Sequence, residues 1–192
     1  MFQRGDTVQS NYMRAHLSTL YRQREEMLHR LRTSSHEVWA RPLPEKWSYG
    51  ETYYHLYLMI KRFRQLNRFY LPIAKSIAKF YQHKSYLTSS PNIYIEYRDK
   101  HKGAMKAPSI IVPPKDVQYK ISFEALLHAI ADETRKLENL IYDISDDIAG
   151  HIRYPDPVAH HPNLIQSIHL LAIHEQHHYQ LCLKYYADGF KD

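Results

Sequence analysis

NLIQSIHLLAIHEQHHYQLCLKYY, residues 163–186, predicts the helix around which the rest of the chain is arranged. Its apolar residues recur every three or four positions, and two histidines fall in the middle of the same stripe. The members of this stripe are Leu164, Ile168, Leu171, His174, His178, Leu181 and Tyr185. Histidines four residues apart on a helix point the same way, so both imidazoles can reach one metal ion.

The letters from His174 to His178 also match the HExxH pattern of zinc proteases, in which the glutamate is the general base. Only 14 residues follow His178, which leaves almost no room for the usual downstream third ligand. We therefore expect any third ligand to lie upstream. Glu175 is interpreted as a residue that supports the ligands or lies on the surface, not as a base.

Composition predicts one helical domain, 1–192. The chain has 192 residues, of which 44% are apolar, so it can bury a core, and its 5 glycines disfavour a turn-rich β fold. No run approaches the roughly 18 apolar residues that a membrane helix needs, and the first residues lack the apolar region of a signal peptide. The single cysteine, Cys182, excludes internal disulfides and fits a reducing, cytoplasmic setting.

The formal charge of +6 raises the question of a nucleic-acid partner. The basic residues are scattered over every segment, however, and no nucleic-acid-binding motif occurs. We expect a protein with a mildly basic surface and no specific nucleic-acid partner.

Four amphipathic helices are predicted. The first spans about 10–34; the second opens at Ser48, which forms a capping box with Glu51, and runs to about Tyr70, where Pro72 kinks or ends it. The third begins after the N-cap Ser122 and carries an apolar seam to residue 144. After a loop at 146–161, a proline at 162 starts the fourth helix.

The segment 84–120 contains four prolines and only two pieces, 92–97 and 109–112, that could pair as strands. A connection of this length can travel back along a helix of about 22 residues, which is roughly 33 Å long. The second and third helices would then run parallel. The sequence thus predicts an all-α four-helix bundle with one long crossover between helices 2 and 3.

His55 lies at the edge of the inward stripe of the second helix and is the upstream candidate ligand. A single inward histidine is more often a hydrogen-bonded core residue than a ligand, but two more in one apolar layer favour a shared metal ion. A structural histidine cluster without metal stays an alternative. His169 and His177 lie off the stripe and are expected to be exposed or at an interface, and Cys182 is expected to be a buried apolar residue.

Residues 44–56, PEKWSYGETYYHL, resemble the W-S-x-G-E-x-x-x-H-L signature of the DinB/YfiT-like superfamily. Residues 174–181, HEQHHYQL, are similar to the H-x-x-x-H-x-Q pattern in the last helix of that superfamily. The order of elements, with the long link between the second and third helices, is also similar.

The resemblance implies an up-down-down-up bundle, often dimeric, in which His55, His174 and His178 hold a divalent metal such as zinc or nickel. It also implies that Trp47 and Ser48 cap and pack the start of the second helix and that Gly50 permits close packing there. Many members of the superfamily have glycine where this chain has Tyr179. A tyrosine at that position is expected to narrow the pocket or to offer a phenol.

Activities assigned in the superfamily imply an enzyme that transfers a low-molecular-weight thiol, such as mycothiol or bacillithiol, to a small electrophile. The catalytic group would be a metal-bound thiolate, and basic residues on nearby loops would hold an acidic thiol cofactor. Hydrolysis by a metal-bound water is one alternative. A non-catalytic metal-binding protein of the stress response is another.

Overall fold

A computed structural model describes residues 8–34, 36–101, 105 and 107–188. This part of the chain is all-helical and contains no β-strand, only an isolated bridge between Arg153 and Asn163. A 3₁₀ turn covers Ser109–Ile111. The seven α-helices are α1 (Asn11–Thr33), α2 (Tyr49–Ala78), α3 (Ile93–His101), α4 (Val117–Lys120), α5 (Phe123–Ile141), α6 (Asp146–Ala149) and α7 (Leu164–Asp188). None of the described helices is long and apolar enough to cross a membrane.

Side-chain caps start the long helices where the sequence predicts them. Ser10 accepts a hydrogen bond from the third residue of α1, and Ser122 does the same for α5. Ser48 and Glu51 form the reciprocal capping box of α2. The fourth long helix starts slightly later than predicted, because Asn163 caps it and the proline before that cap remains outside.

Pro72 was predicted to kink or end α2 near Tyr70. It does not end the helix, because α2 continues to Ala78. A proline inside a helix removes one backbone hydrogen bond and costs about 3 kcal/mol. Beyond it, Leu71, Ala74 and Ala78 lie on one face and are buried in the core. Burial of this face offsets the cost of the proline.

The two predicted strand pieces are helical. Residues 93–97 belong to α3, and 109–111 form the 3₁₀ turn. Asn92 explains the first difference: its side chain accepts a hydrogen bond from Tyr94 N, and its carbonyl accepts one from Glu96 N, as at a helix start. The loop expected at 146–161 also contains a short helix, α6.

The long helices pack in two pairs, α1 with α7 and α2 with α5, and α2 also contacts α7. Later residues of α2 contact later residues of α5 and of the turn after it, so these two helices run in the same direction. The contacts are Tyr53 with Phe123, Arg64 with Glu133 and Lys75 with Asp143. The segment 84–120 is therefore a crossover that returns the chain to the end of the molecule where α2 begins.

Later residues of α1 contact later residues of α7, whereas later residues of α2 contact earlier residues of α7. Helix α7 is therefore parallel to α1 and antiparallel to α2. Along α1 the contacts join His16 to His169 and Arg24 to Glu175; along α2 they join Tyr49 to Tyr186 and His55 to His174. The first half of α2 therefore faces the part of α7 from His174 onward. Those two parts carry the histidines discussed next.

Candidate metal centre

The three histidines predicted as ligands come together between α2 and α7. His55 and His174 are buried and His178 is half-buried. One ring nitrogen from each lies within 4.8 Å of the others, so the group could hold a metal ion. Among the described residues, no other cysteine, carboxylate or histidine belongs to this group.

His55 is held in one orientation by the crossover. Its Nδ1 lies 2.8 Å from the carbonyl oxygen of Ile111, in the 3₁₀ turn. A carbonyl only accepts, so Nδ1 must carry the proton and donate. Burial lowers the pKa of His55 and keeps the ring neutral, which leaves the lone pair on Nε2. A histidine fixed through one nitrogen in this way is typical of metal sites.

His174 lies between His55 and α3. Its Nε2 is 2.8 Å from Nε2 of His55, and its Nδ1 is hydrogen-bonded to the hydroxyl of Tyr94. Burial lowers the pKa of His174 well below the usual value, and the charges of His55 and His177 lower it further. Tyr94 belongs to a segment that the sequence presented as a strand, so sequence reasoning missed this residue.

His178 completes the group under an indole ring. Burial, followed by the neighbouring rings of His174 and His55, lowers its pKa strongly. The ring of Trp47 is 4.9 Å from that of His55 and 6.0 Å from that of His178, which it stacks on. Three neutral imidazoles without a carboxylate form a donor set that suits zinc or nickel, and the residues therefore fit such an ion.

The start of α2 is packed as the resemblance implies. A Cβ atom on Gly50 would lie 2.3 Å from Cε3 of Trp39, so only glycine allows this approach. The amide of Gly50 also donates to the carbonyl of Val38, at 2.7 Å. Glycine at this position lets the loop before α2 pack closely against the helix that carries His55.

Glu175 is buried, and the surface alternative is therefore wrong. Its carboxylate forms two hydrogen bonds with the guanidinium of Arg24, which is itself fully buried. Arg24 also donates to Thr134 Oγ1, at 2.8 Å. With both oxygens paired to Arg24, Glu175 lacks the free carboxylate that a general base needs.

The side chain of Tyr179 lies in the core beside Glu175 and Tyr53. The side chain is buried, its hydroxyl lies 3.3 Å from the carboxylate of Glu175, and its ring packs against Tyr53. The residue after His178 therefore belongs to the core that holds α7. Cys182 is buried as expected; it donates to Thr52, and burial raises its pKa to about 11.

The remaining histidines lie outside the group. His177 and His169, expected to be exposed or at an interface, are instead half-buried against neighbouring rings, with His177 stacked on Tyr94 and His169 on His16. His160, in the loop before α7, is exposed and hydrogen-bonded to Glu96.

Comparison with known families agrees with this geometry. A family model described as the DinB superfamily matches residues 19–182. The matched range contains His55, His174 and His178 together with the motifs around them. Neither curated proteins nor solved structures gave a match to this chain.

Proposed function

This chain belongs to the DinB superfamily, and we propose that it is a metal-dependent enzyme of the DinB/YfiT-like type that transfers a low-molecular-weight thiol to small electrophiles. The observation that carries the proposal is the group of His55, His174 and His178. Its rings are neutral, as metal ligands must be, and fewer protein ligands surround it than a closed structural zinc site requires.

A divalent ion such as zinc or nickel would lower the pKa of a thiol placed beside it and so generate a nucleophile at neutral pH. The chain supplies the rest of the site. The carbonyl of Ile111 fixes His55, and Trp47 covers one side of the rings and excludes water there. Lys46, next to Trp47 in the sequence, is partly exposed and places its Nζ over the ring of Tyr185, 4.7 Å from the centroid. It is the residue that we propose would hold an acidic thiol such as bacillithiol.

Two alternatives use the same residues. A hydrolase would use the ion to activate water, and a non-catalytic metal-binding protein of the stress response would need only the histidines. Dependence of turnover on added thiol separates transfer from hydrolysis. We favour thiol transfer because of the basic residue beside Trp47 and because of the activities assigned in the superfamily.

The proposal includes the architecture and the setting. We propose a single domain, 1–192, with the up-down-down-up topology of a four-helix bundle. The order of the contacts along α1, α2, α5 and α7 supports it. A cytoplasmic location is supported by the lone cysteine, which is buried as a thiol.

We also propose that the protein is a homodimer that uses an exposed apolar strip along the second half of α2 and the turn that follows it. The members of the strip recur every three or four residues and are all more than half exposed: Leu66, Phe69, Ile73, Ile77 and Phe80. Covering them would remove on the order of 600 Å² per chain, close to the ~800 Å² per partner of a standard interface.

A groove lies next to the strip, and this favours a second copy of the chain as the partner. Tyr70, Ile77, Tyr81 and Ile152 line part of a groove of about 320 Å³, and Ile77 belongs to both the groove and the strip. The most exposed side chain of the strip, Phe80, is 86% accessible. A surface with both a projecting ring and a groove can pair with itself around a two-fold axis.

Metal content and thiol dependence test the proposed enzyme. Untagged protein is expected to carry about one equivalent of zinc or nickel, and His55→Ala, His174→Ala and His178→Ala are each expected to lose it. His29→Ala, an exposed histidine of α1, is the matched control and should retain the metal. Thiol-dependent conjugation of an electrophile would support transfer. A wild type that binds no metal after reconstitution would overturn the proposal.

A further inference from the structure

The crossover contributes a hydrogen-bond partner to two of the three histidines. His55 is bonded to the carbonyl of Ile111 and His174 to the hydroxyl of Tyr94. We propose that Tyr94 is a positioning residue for the metal centre, and that its hydroxyl holds the ring of His174 with Nε2 toward the ion. This inference rests on the proposed function, since it requires the three histidines to be ligands.

The hydrogen bonds to the crossover leave the same nitrogen of both rings directed toward the centre. Nδ1 of His55 is bonded to the carbonyl of Ile111, and Nδ1 of His174 to the hydroxyl of Tyr94. The two Nε2 atoms face each other, 2.8 Å apart. The crossover therefore holds the Nδ1 side of each ring, and Nε2 is the atom left for an ion.

Stacking holds Tyr94 in place for this role. Its ring lies parallel to that of His177, with centroids 3.9 Å apart and an interplanar angle of 5°. A phenylalanine at this position would retain the stacked ring and lose only the hydroxyl.

The test compares zinc binding by wild type, Tyr94→Phe and Tyr97→Phe. Tyr97 lies on the same helix and packs against the ring of His101, which makes it the matched control. Competition with a chelator is expected to show zinc affinity 10–100-fold weaker in Tyr94→Phe, because ligand orientation is lost, and unchanged in Tyr97→Phe. Equal affinity in all three proteins would overturn the inference.

Imidazole ¹⁵N spectra of the zinc-loaded proteins test the contact directly. In the wild type His174 is expected to bind zinc through Nε2 in one arrangement, and in Tyr94→Phe its signals should show more than one arrangement. The same single arrangement in both proteins would contradict the inference, whereas a wild type that binds no zinc would contradict the proposed function itself.

Discussion

Arg24 and Glu175 form an ion pair that is sealed from solvent, with Nη2 and Oε1 2.5 Å apart and Nε and Oε2 2.9 Å apart. The pair joins α1 to α7 at the residue directly after His174. Paired geometry of this kind satisfies both planar groups at once. This ion pair therefore fixes α7, which carries two of the three histidines, against α1.

Arg24→Ala should lower the free energy of unfolding by about 3–5 kcal/mol, because Glu175 would remain buried and unpaired. Urea denaturation measures the effect. Arg22→Ala is the matched control on the same helix. Its pair with Glu26 is exposed and 4.0 Å long, so the change should stay within about 0.5 kcal/mol. Similar losses of unfolding free energy in both variants would contradict a stabilising role of the buried pair.

Gly50→Ala should destabilise the protein by about 1–3 kcal/mol through overpacking, since the new Cβ would collide with the ring of Trp39. Thermal or urea unfolding measures the loss. In combination with Trp39→Leu the collision disappears, so the double variant should lose less than the sum of the single variants. Additive losses would contradict the steric explanation.

Acid should destabilise the metal-free protein partly through His169. Burial, with a smaller contribution from the charge of His16, lowers its pKa from 6.5 to about 4. The unfolded chain therefore binds the proton more readily, so stability is complete above pH 6.5 and falls as the pH drops toward 4. For this half-buried ring, solvent screening reduces the contribution to about 1 kcal/mol.

Urea unfolding at pH 7 and pH 5 with chelator present measures this dependence. His169→Gln retains an acceptor for the amide of Ser90, which His169 binds at 2.9 Å, but does not titrate. Its stability should fall less between the two pH values than that of the wild type. His29→Gln, at an exposed position of α1, should behave as the wild type. An unchanged pH dependence in His169→Gln would refute the assignment.

Charge in the apolar strip should separate the proposed dimer. Phe69→Glu with Phe80→Glu places two carboxylates on the strip, and burying them between two copies would be costly. Sedimentation should show a dimeric wild type and a monomeric variant with unchanged helix content. Lys79→Glu, exposed but outside the strip, is the control and should stay dimeric. A monomeric wild type would overturn the proposed interface.

Local signals in the sequence were sufficient for the long helices. The caps Ser48 and Ser122 were predicted from residue type and spacing and are confirmed. Periodicity also placed His174 and His178 on one face, since a helix has a fixed number of residues per turn. The meeting of His55 with them depends on how α2 lies against α7, which the resemblance to a family implied and local periodicity alone could not give.

Residues that act over long distances in the chain were not predictable in this way. Arg24 occupies a core position between Leu20 and Met27, and the gap in the apolar stripe of α1 was its only signal; nothing local indicates Glu175 as its partner. Tyr94 reaches His174 only because 93–101 folds as a helix. Extension of α2 past Pro72 likewise depends on tertiary burial of Leu71, which propensity does not include.

The contacts of His55 with Ile111 and of His174 with Tyr94 have a consequence for protein engineering. Both partners belong to the connection between α2 and α5, and neither is part of the long helices that hold the core together. A chimaera that grafts another connection onto these helices would keep the scaffold and the imidazoles while replacing what orients them. The way in which such a protein binds a metal can thus be varied by replacing one continuous segment, the connection between α2 and α5.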